Sequence, residues 1–187
     1  MAEIRTPAFE ATSHGRLRWQ GRDIRCALGR SGVVAAPLKR EGDGATPLGD
    51  WPMRRVFWRP DRLEKPVSQL PVIALRADMG WCDDPAHPDY NRQVVMPFPA
   101  SHEKLWRDDD IYDLIVVLGY NDDPVIPGRG SAIFLHLARE DFSPTEGCVA
   151  CSRDNLLALI RLAKPGDALS VTSAIPQREI DSAAAVR

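Results

Sequence analysis

Ser131-Ala132-Ile133-Phe134-Leu135-His136-Leu137-Ala138 is followed, a short loop later, by Thr145-Glu146-Gly147-Cys148-Val149-Ala150-Cys151-Ser152. These two stretches decide how the chain reads. The first is apolar and rich in strand formers, which predicts a buried strand ending near His136. In the second, Cys148 stands in a loop just ahead of a helical pattern. Ser152 suits an N-cap. Leu156, Leu157, Ile160 and Ala163 then recur at helical spacing, and Pro165-Gly166 stops the helix. A cysteine near a helix N-terminus has its thiolate favoured by the helix dipole and by free backbone N–H groups. A neighbouring imidazole can take the thiol proton. Gly147 lets the backbone turn sharply and approach a substrate. The N–H groups around Gly147 and Cys148 can face a tetrahedral oxyanion. The residue types therefore point to Cys148 as a nucleophile and His136 as its base, recognised by roles. Taken on spacing alone, a satisfied core histidine and a buried apolar thiol remain open.

Working outward, 168–172 reads as a last strand and 112–118 as a second buried one. Further strands are expected at 51–58 and 72–75. Leu17-Arg18-Trp19 and Ile24-Arg25-Cys26-Ala27-Leu28 flank Gly21-Arg22-Asp23 in a hairpin pattern. Residues 39–49 read as a polar, Gly-rich loop. Residues 81–99 read as a long irregular segment, a length that marks functional or mobile loops. Residues 101–110 are charged and read as solvated. Sixteen prolines and thirteen glycines favour many short elements. The expected class is mainly β: a β-sandwich of mixed sheets with one principal α-helix after the candidate cysteine. A chain of 187 residues fits one domain, placed at 10–175, with a frayed tail at 176–187.

A net charge of −2 makes no electrostatic case for nucleic acid. No apolar run approaches the roughly 18 residues of a membrane span. The opening Met1-Ala2-Glu3-Ile4-Arg5-Thr6-Pro7 lacks the charged-then-apolar pattern of a secretory leader. As written, the chain reads as cytoplasmic, or as one that has lost its leader. Four cysteines could make two disulfides, yet a chain this long needs none. Cys26 and Cys82 read as small buried hydrophobes.

The His136 and Thr145-to-Val149 segments together resemble the signature of the L,D-transpeptidase catalytic domain of the YkuD type. That signature is a strand ending in His, a loop, then Ser/Thr-x-Gly-Cys-Ile/Val. Upstream, Thr46-Pro47-Leu48-Gly49-Asp50-Trp51 is similar to the Thr-Pro-x-Gly-x-aromatic lead into a core strand of that family. Residues 81–91, 102–107 and 119–123 resemble its compact, stand-alone branch, and the resemblance spans roughly 15–172. It implies that Cys148 attacks a peptidoglycan stem peptide at the carbonyl before a terminal D-alanine. A thioester forms, and an amine or water resolves it. His136 serves as base and then acid. No metal or other cofactor is required. Thr145 would hold the loop or orient His136, while Tyr120, Asn121 and His102 would line the cleft. The chain departs from the family pattern in three places: Ala150 stands where Arg or Asn is common, the loop 137–147 is short, and Cys151 replaces an aliphatic residue. Arg153 is a candidate to replace the missing contact at 150. The family chemistry belongs in the cell envelope, against the absence of a visible leader.

Several alternatives share these residues. One is an L,D-carboxypeptidase or amidase on the same fold. Another is a peptidoglycan-binding domain without turnover. Cys148-Val149-Ala150-Cys151 before a helix is also where a thiol oxidoreductase pair sits. His136 with both cysteines is similar to a zinc deaminase set, though Ala138 stands where its glutamate belongs.

Overall fold

The computed structural model describes residues 8–173. The expected tail, 176–187, lies outside them. In chain order the strands are β1 (Phe9–Thr12), β2 (Arg16–Trp19), β3 (Arg22–Arg25), β4 (Val33–Ala35), β5 (Thr46–Trp58), β6 (Val72–Ala74) and β7 (Met79–Cys82). There follow β8 (Gln93–Val95), β9 (His102–Lys104), β10 (Leu114–Leu118), β11 (Phe134–Leu137), β12 (Val149–Cys151), helix α1 (Arg153–Leu162) and β13 (Ala168–Thr172). Among the described residues the fold is mainly β with one α-helix, as the sequence predicts. The large sheet runs β12-β11-β10-β5-β13-β1-β2-β3, with β4 and β6 also on β5; β8-β7-β9 form a separate small sheet.

β5 is the hub. Its first half pairs with β4 and β13, and its second half with β6 and β10. The register slips at Val117/Leu118, which bends the sheet as a bulge does. β10 is buried at every residue because both its faces are covered. Leu114, Val116 and Leu118 join the core against α1, where Leu156, Leu159 and Ile160 sit fully buried. Ile115 and Val117 point the other way, into a second cluster with Leu75, Met79, Trp81, Leu105 and Phe134. Strand alternation thus sorts one sequence run onto two cores. The candidate site lies on the second face, between the large sheet and the small one.

Five local expectations change. The loop expected at 39–49 ends at Thr46, where β5 already begins. The segment 81–99 is not structureless: β7 and β8 lie within or across it. The segment 101–110 contains β9, and Leu105 is fully buried. Such strands, three or four residues long, carry too little periodicity to register in sequence, and only pairing with one another makes them strands. Next, Cys148 does not adjoin the helix: β12 intervenes, paired in parallel with β11. Finally, Ser152 occupies the N-cap position without a side-chain cap; its hydroxyl accepts from Asn155 Nδ2 at 2.7 Å. In the first hairpin, Gln20 and Gly21, both at positive φ, make the two-residue turn that suits twisted strands.

Candidate active site

β11 alternates across the sheet. Leu135 and Leu137 face the helix core, and Phe134 faces the second cluster. By the same period of two, His136 faces the second cluster too. Its ring lies edge-on to Tyr112 at 5.1 Å between centroids, and Tyr112 and Trp81 both abut Phe134. His136 Nδ1 lies 2.9 Å from Leu137 O. A carbonyl only accepts, so Nδ1 carries the proton and Nε2 keeps the lone pair. Burial pushes the His136 pKa down to about 4, despite that hydrogen bond.

The Cys148 thiol joins the same cluster. Sγ accepts from Phe134 N at 3.3 Å and donates to Ala132 O at 3.1 Å. Burial pushes the Cys148 thiol up to about 12; the nearby Glu103 carboxylate adds to the rise, and the Phe134 N–H opposes it. The sequence expectation of a thiolate favoured by a helix N-terminus is therefore corrected. Among the described residues no helix end adjoins this sulfur, since β12 stands between it and α1, and burial favours the neutral thiol and the neutral imidazole.

The backbone around Cys148 is held from several sides. Its carbonyl accepts from Thr145 Oγ1 at 2.7 Å and from Thr46 Oγ1 at 3.4 Å. Thr46 Oγ1 in turn accepts from Gly29 N at 2.8 Å. Gly147 has φ +134, and a Cβ there would meet Ala45 O at 2.9 Å; only glycine fits without a shift. The Gly147 N–H donates to Thr145 Oγ1 at 3.2 Å, so it is already engaged within the loop, contrary to its expected place facing an oxyanion.

Cys148, His136 and Thr145 share a cavity of about 470 Å³, also lined by Lys39, Glu103, Arg107, Tyr112 and Arg139. Of the other expected cleft residues, none lines it. His102 bonds Ala100 O and packs on Phe98. Asn121 ties together its own loop through Ile126 and Gly130. Tyr120 donates to Arg129 O and packs on Trp51. Arg153 reaches Asp113 at 3.4 Å and does not stand in for a side chain at 150. Ala150 itself is 1% exposed, laddered between His136 and Ala27.

Sequence reasoning missed Glu103, Tyr112, Lys39 and Asn91. Tyr112 Oη donates to Glu103 Oε1 at 2.8 Å, and burial raises the pKa of both groups. Lys39 is buried and paired with Asp43 at 2.6 Å. Asn91 Oδ1 accepts from Trp81 Nε1 and from Ala132 N, both at 3.0 Å. It thereby holds Ala132 at a positive φ of 52° beneath the thiol. Strain of this kind gathers at functional sites. Glu103 stands in the polar run His102-Glu103-Lys104, which carries no alternation to announce it.

Two alternative readings fail on geometry. Cys151 lies in the helix-side core and Cys148 in the other cluster. Three residues apart on an extended segment, they point to opposite faces, so they form no redox pair in this fold. For the same reason His136, Cys148 and Cys151 do not converge as a zinc site.

Among known families, the model of YkuD, the L,D-transpeptidase catalytic domain, matches residues 3–172. A comparison with curated proteins finds no match.

Proposed function

The chain belongs to the L,D-transpeptidase catalytic-domain family, which acts on peptidoglycan, and from that premise we propose that it is a cysteine acyltransferase of stem peptides with Cys148 as nucleophile. The observation that carries this reading is the shared cavity, into which a cradled thiol and a buried, correctly protonated imidazole both open.

In this reading Cys148 Sγ attacks the carbonyl that joins the third stem residue to the terminal D-alanine. His136 Nε2 takes the thiol proton as the S–C bond forms, so no resting thiolate is needed. The Cys148 N–H faces the oxyanion, since the Gly147 N–H is engaged by Thr145. Collapse breaks the C–N bond, the imidazolium returns its proton to the leaving amine, and a thioester remains. An amine of a second stem, or water, repeats the sequence and frees the thiol. The Leu137 carbonyl fixes the imidazole throughout, and Arg139 on the wall supplies positive charge for substrate carboxylates, while Arg107 is already held by Asp109 at 2.8 Å. The work is placed in the cell envelope, where the substrate is; recovery of the native protein from the cytoplasmic fraction alone would contradict that placement.

Cys148→Ala is expected to abolish turnover of a tetrapeptide-bearing muropeptide while leaving the circular dichroism and melting curve near wild type. Mass analysis of the products distinguishes a cross-linked dimer from a trimmed tripeptide. Turnover retained by the variant would remove Cys148 from the mechanism. Equal binding by both proteins, with no turnover by either, would make the chain a binding domain.

A further inference from the structure

Cys26 and Cys151 flank an isolated bridge, between Ala27 and Ala150, that the proposed reaction does not use. Ala27 and Ala150 form an antiparallel bridge in which each N–H donates to the other's carbonyl, at 2.8 and 2.9 Å. That is a hydrogen-bonded pair, so the adjacent pair, Cys26 with Cys151, is of the non-hydrogen-bonded type. Their own backbone groups agree with this: Cys26 N–H donates away to Gly15 O, and Cys151 O accepts from Ala138 N. Pairs of this type hold their Cα atoms about 4.5 Å apart, within the roughly 4.4–6.8 Å that a disulfide spans. Both side chains lie in the helix-side core. Cys148 occupies the other face of the sheet, and Cys82 belongs to the small sheet.

We propose that Cys26 and Cys151 are a disulfide-forming pair, which clips the segment after β3 onto the strand that follows Cys148. The pairing rests on backbone register and stands whether or not Cys148 is the nucleophile. The oxidant is a small disulfide of the glutathione class. One cysteine thiolate attacks it, giving a mixed disulfide and one small thiol. The other thiolate attacks the protein sulfur of that mixed disulfide, forming the Cys26–Cys151 bond and releasing the second small thiol. Two electrons pass to the reagent, and the two protein protons end on the released thiols. Burial pushes the Cys26 thiol up to about 12 and raises Cys151 as well, so the bond forms as the chain folds or opens rather than in the closed core.

The clip bears on the candidate site. Beyond Cys26, Ala27 bridges Ala150, Gly29 bridges Thr145, and Arg30 N–H donates to Thr145 O at 2.8 Å. This strap backs the loop that carries Gly147 and Cys148, and a covalent bond at its start restrains both rails in the unfolded chain.

The test is to unfold the wild-type chain, refold it in a mixed reduced and oxidised glutathione buffer, alkylate, digest and map the cysteines by mass spectrometry. The expected result is one linked pair, Cys26 to Cys151, with Cys82 and Cys148 alkylated. The linked protein should also melt at a higher temperature than the same sample after reduction. Cys26→Ala should lose both the link and the difference in melting, while Cys148→Ala keeps both. Four alkylated cysteines after oxidative refolding would overturn the proposal. So would a Cys148–Cys151 link, or a linked protein that melts no higher than the reduced one.

Discussion

His136 is where burial and chemistry meet most sharply. Its pKa, lowered from an ordinary 6.5 to about 4, makes it a neutral base across the neutral range. The same shift acts on stability. Between about pH 6.5 and 4 the unfolded chain binds a proton at this residue that the folded chain refuses, so stability falls as pH drops through that window and levels off below it. The size is on the order of 3 kcal/mol. Denaturant unfolding at a series of pH values should give a steeper acid-side loss for wild type than for His136→Gln; parallel curves would mean that the imidazole is not buried neutral. At this scale much was legible beforehand. Thr145, Gly147, Cys148 and His136 are placed by local demands: a glycine where φ is positive, a hydroxyl near a turn carbonyl, a strand's last residues. Tyr120, Asn121, His102 and Arg153 were misplaced because being polar near a strand end does not say which way a side chain turns.

The small sheet shows what an element contributes beyond its own strands. β9 carries Glu103 to Tyr112, which precedes β10 in the large sheet, and that single hydrogen bond ties the two layers on the cavity wall. Tyr112→Phe keeps the ring against His136 but leaves the Glu103 carboxyl without its phenolic donor. The expected cost is about 1–3 kcal/mol of stability, read from the denaturant midpoint, with the far-ultraviolet spectrum unchanged. An unaltered midpoint would show that water replaces the phenol without cost. The helix illustrates the opposite case. Leu156, Leu157, Ile160 and Ala163 announced α1 through a regular period. Leu156, Ile160 and Ala163 are buried as that period requires, while Leu157 is only half-buried and Leu159, outside the pattern, is fully buried. β7, β8 and β9 had no such announcement, because a strand of three residues is defined by its partners and not by its own pattern.

At the scale of the whole molecule, β13 joins the two halves of the large sheet. It pairs in parallel with β1 and antiparallel with β5, joining the N-terminal hairpin to the strands that carry the candidate site. Ending the chain after Asp167 removes Leu169 and Val171 from the core and leaves β1 and β5 without this partner. Such a chain is expected to show no cooperative thermal transition by circular dichroism, whereas a melt like the parent's would mean that the two halves hold without β13. The sequence by itself determined the mainly β class, the single helix and the Cys148 loop with its histidine strand, since each follows from short-range periodicity or from a local backbone requirement. Only the tertiary structure decided that Glu103, Tyr112, Asn91 and Lys39 surround that loop, that no helix end activates the thiol, and that Cys151 turns away from Cys148 to meet Cys26. Those outcomes depend on which distant strands pair, in what register and with which face inward, and register between distant segments leaves no mark on either segment alone.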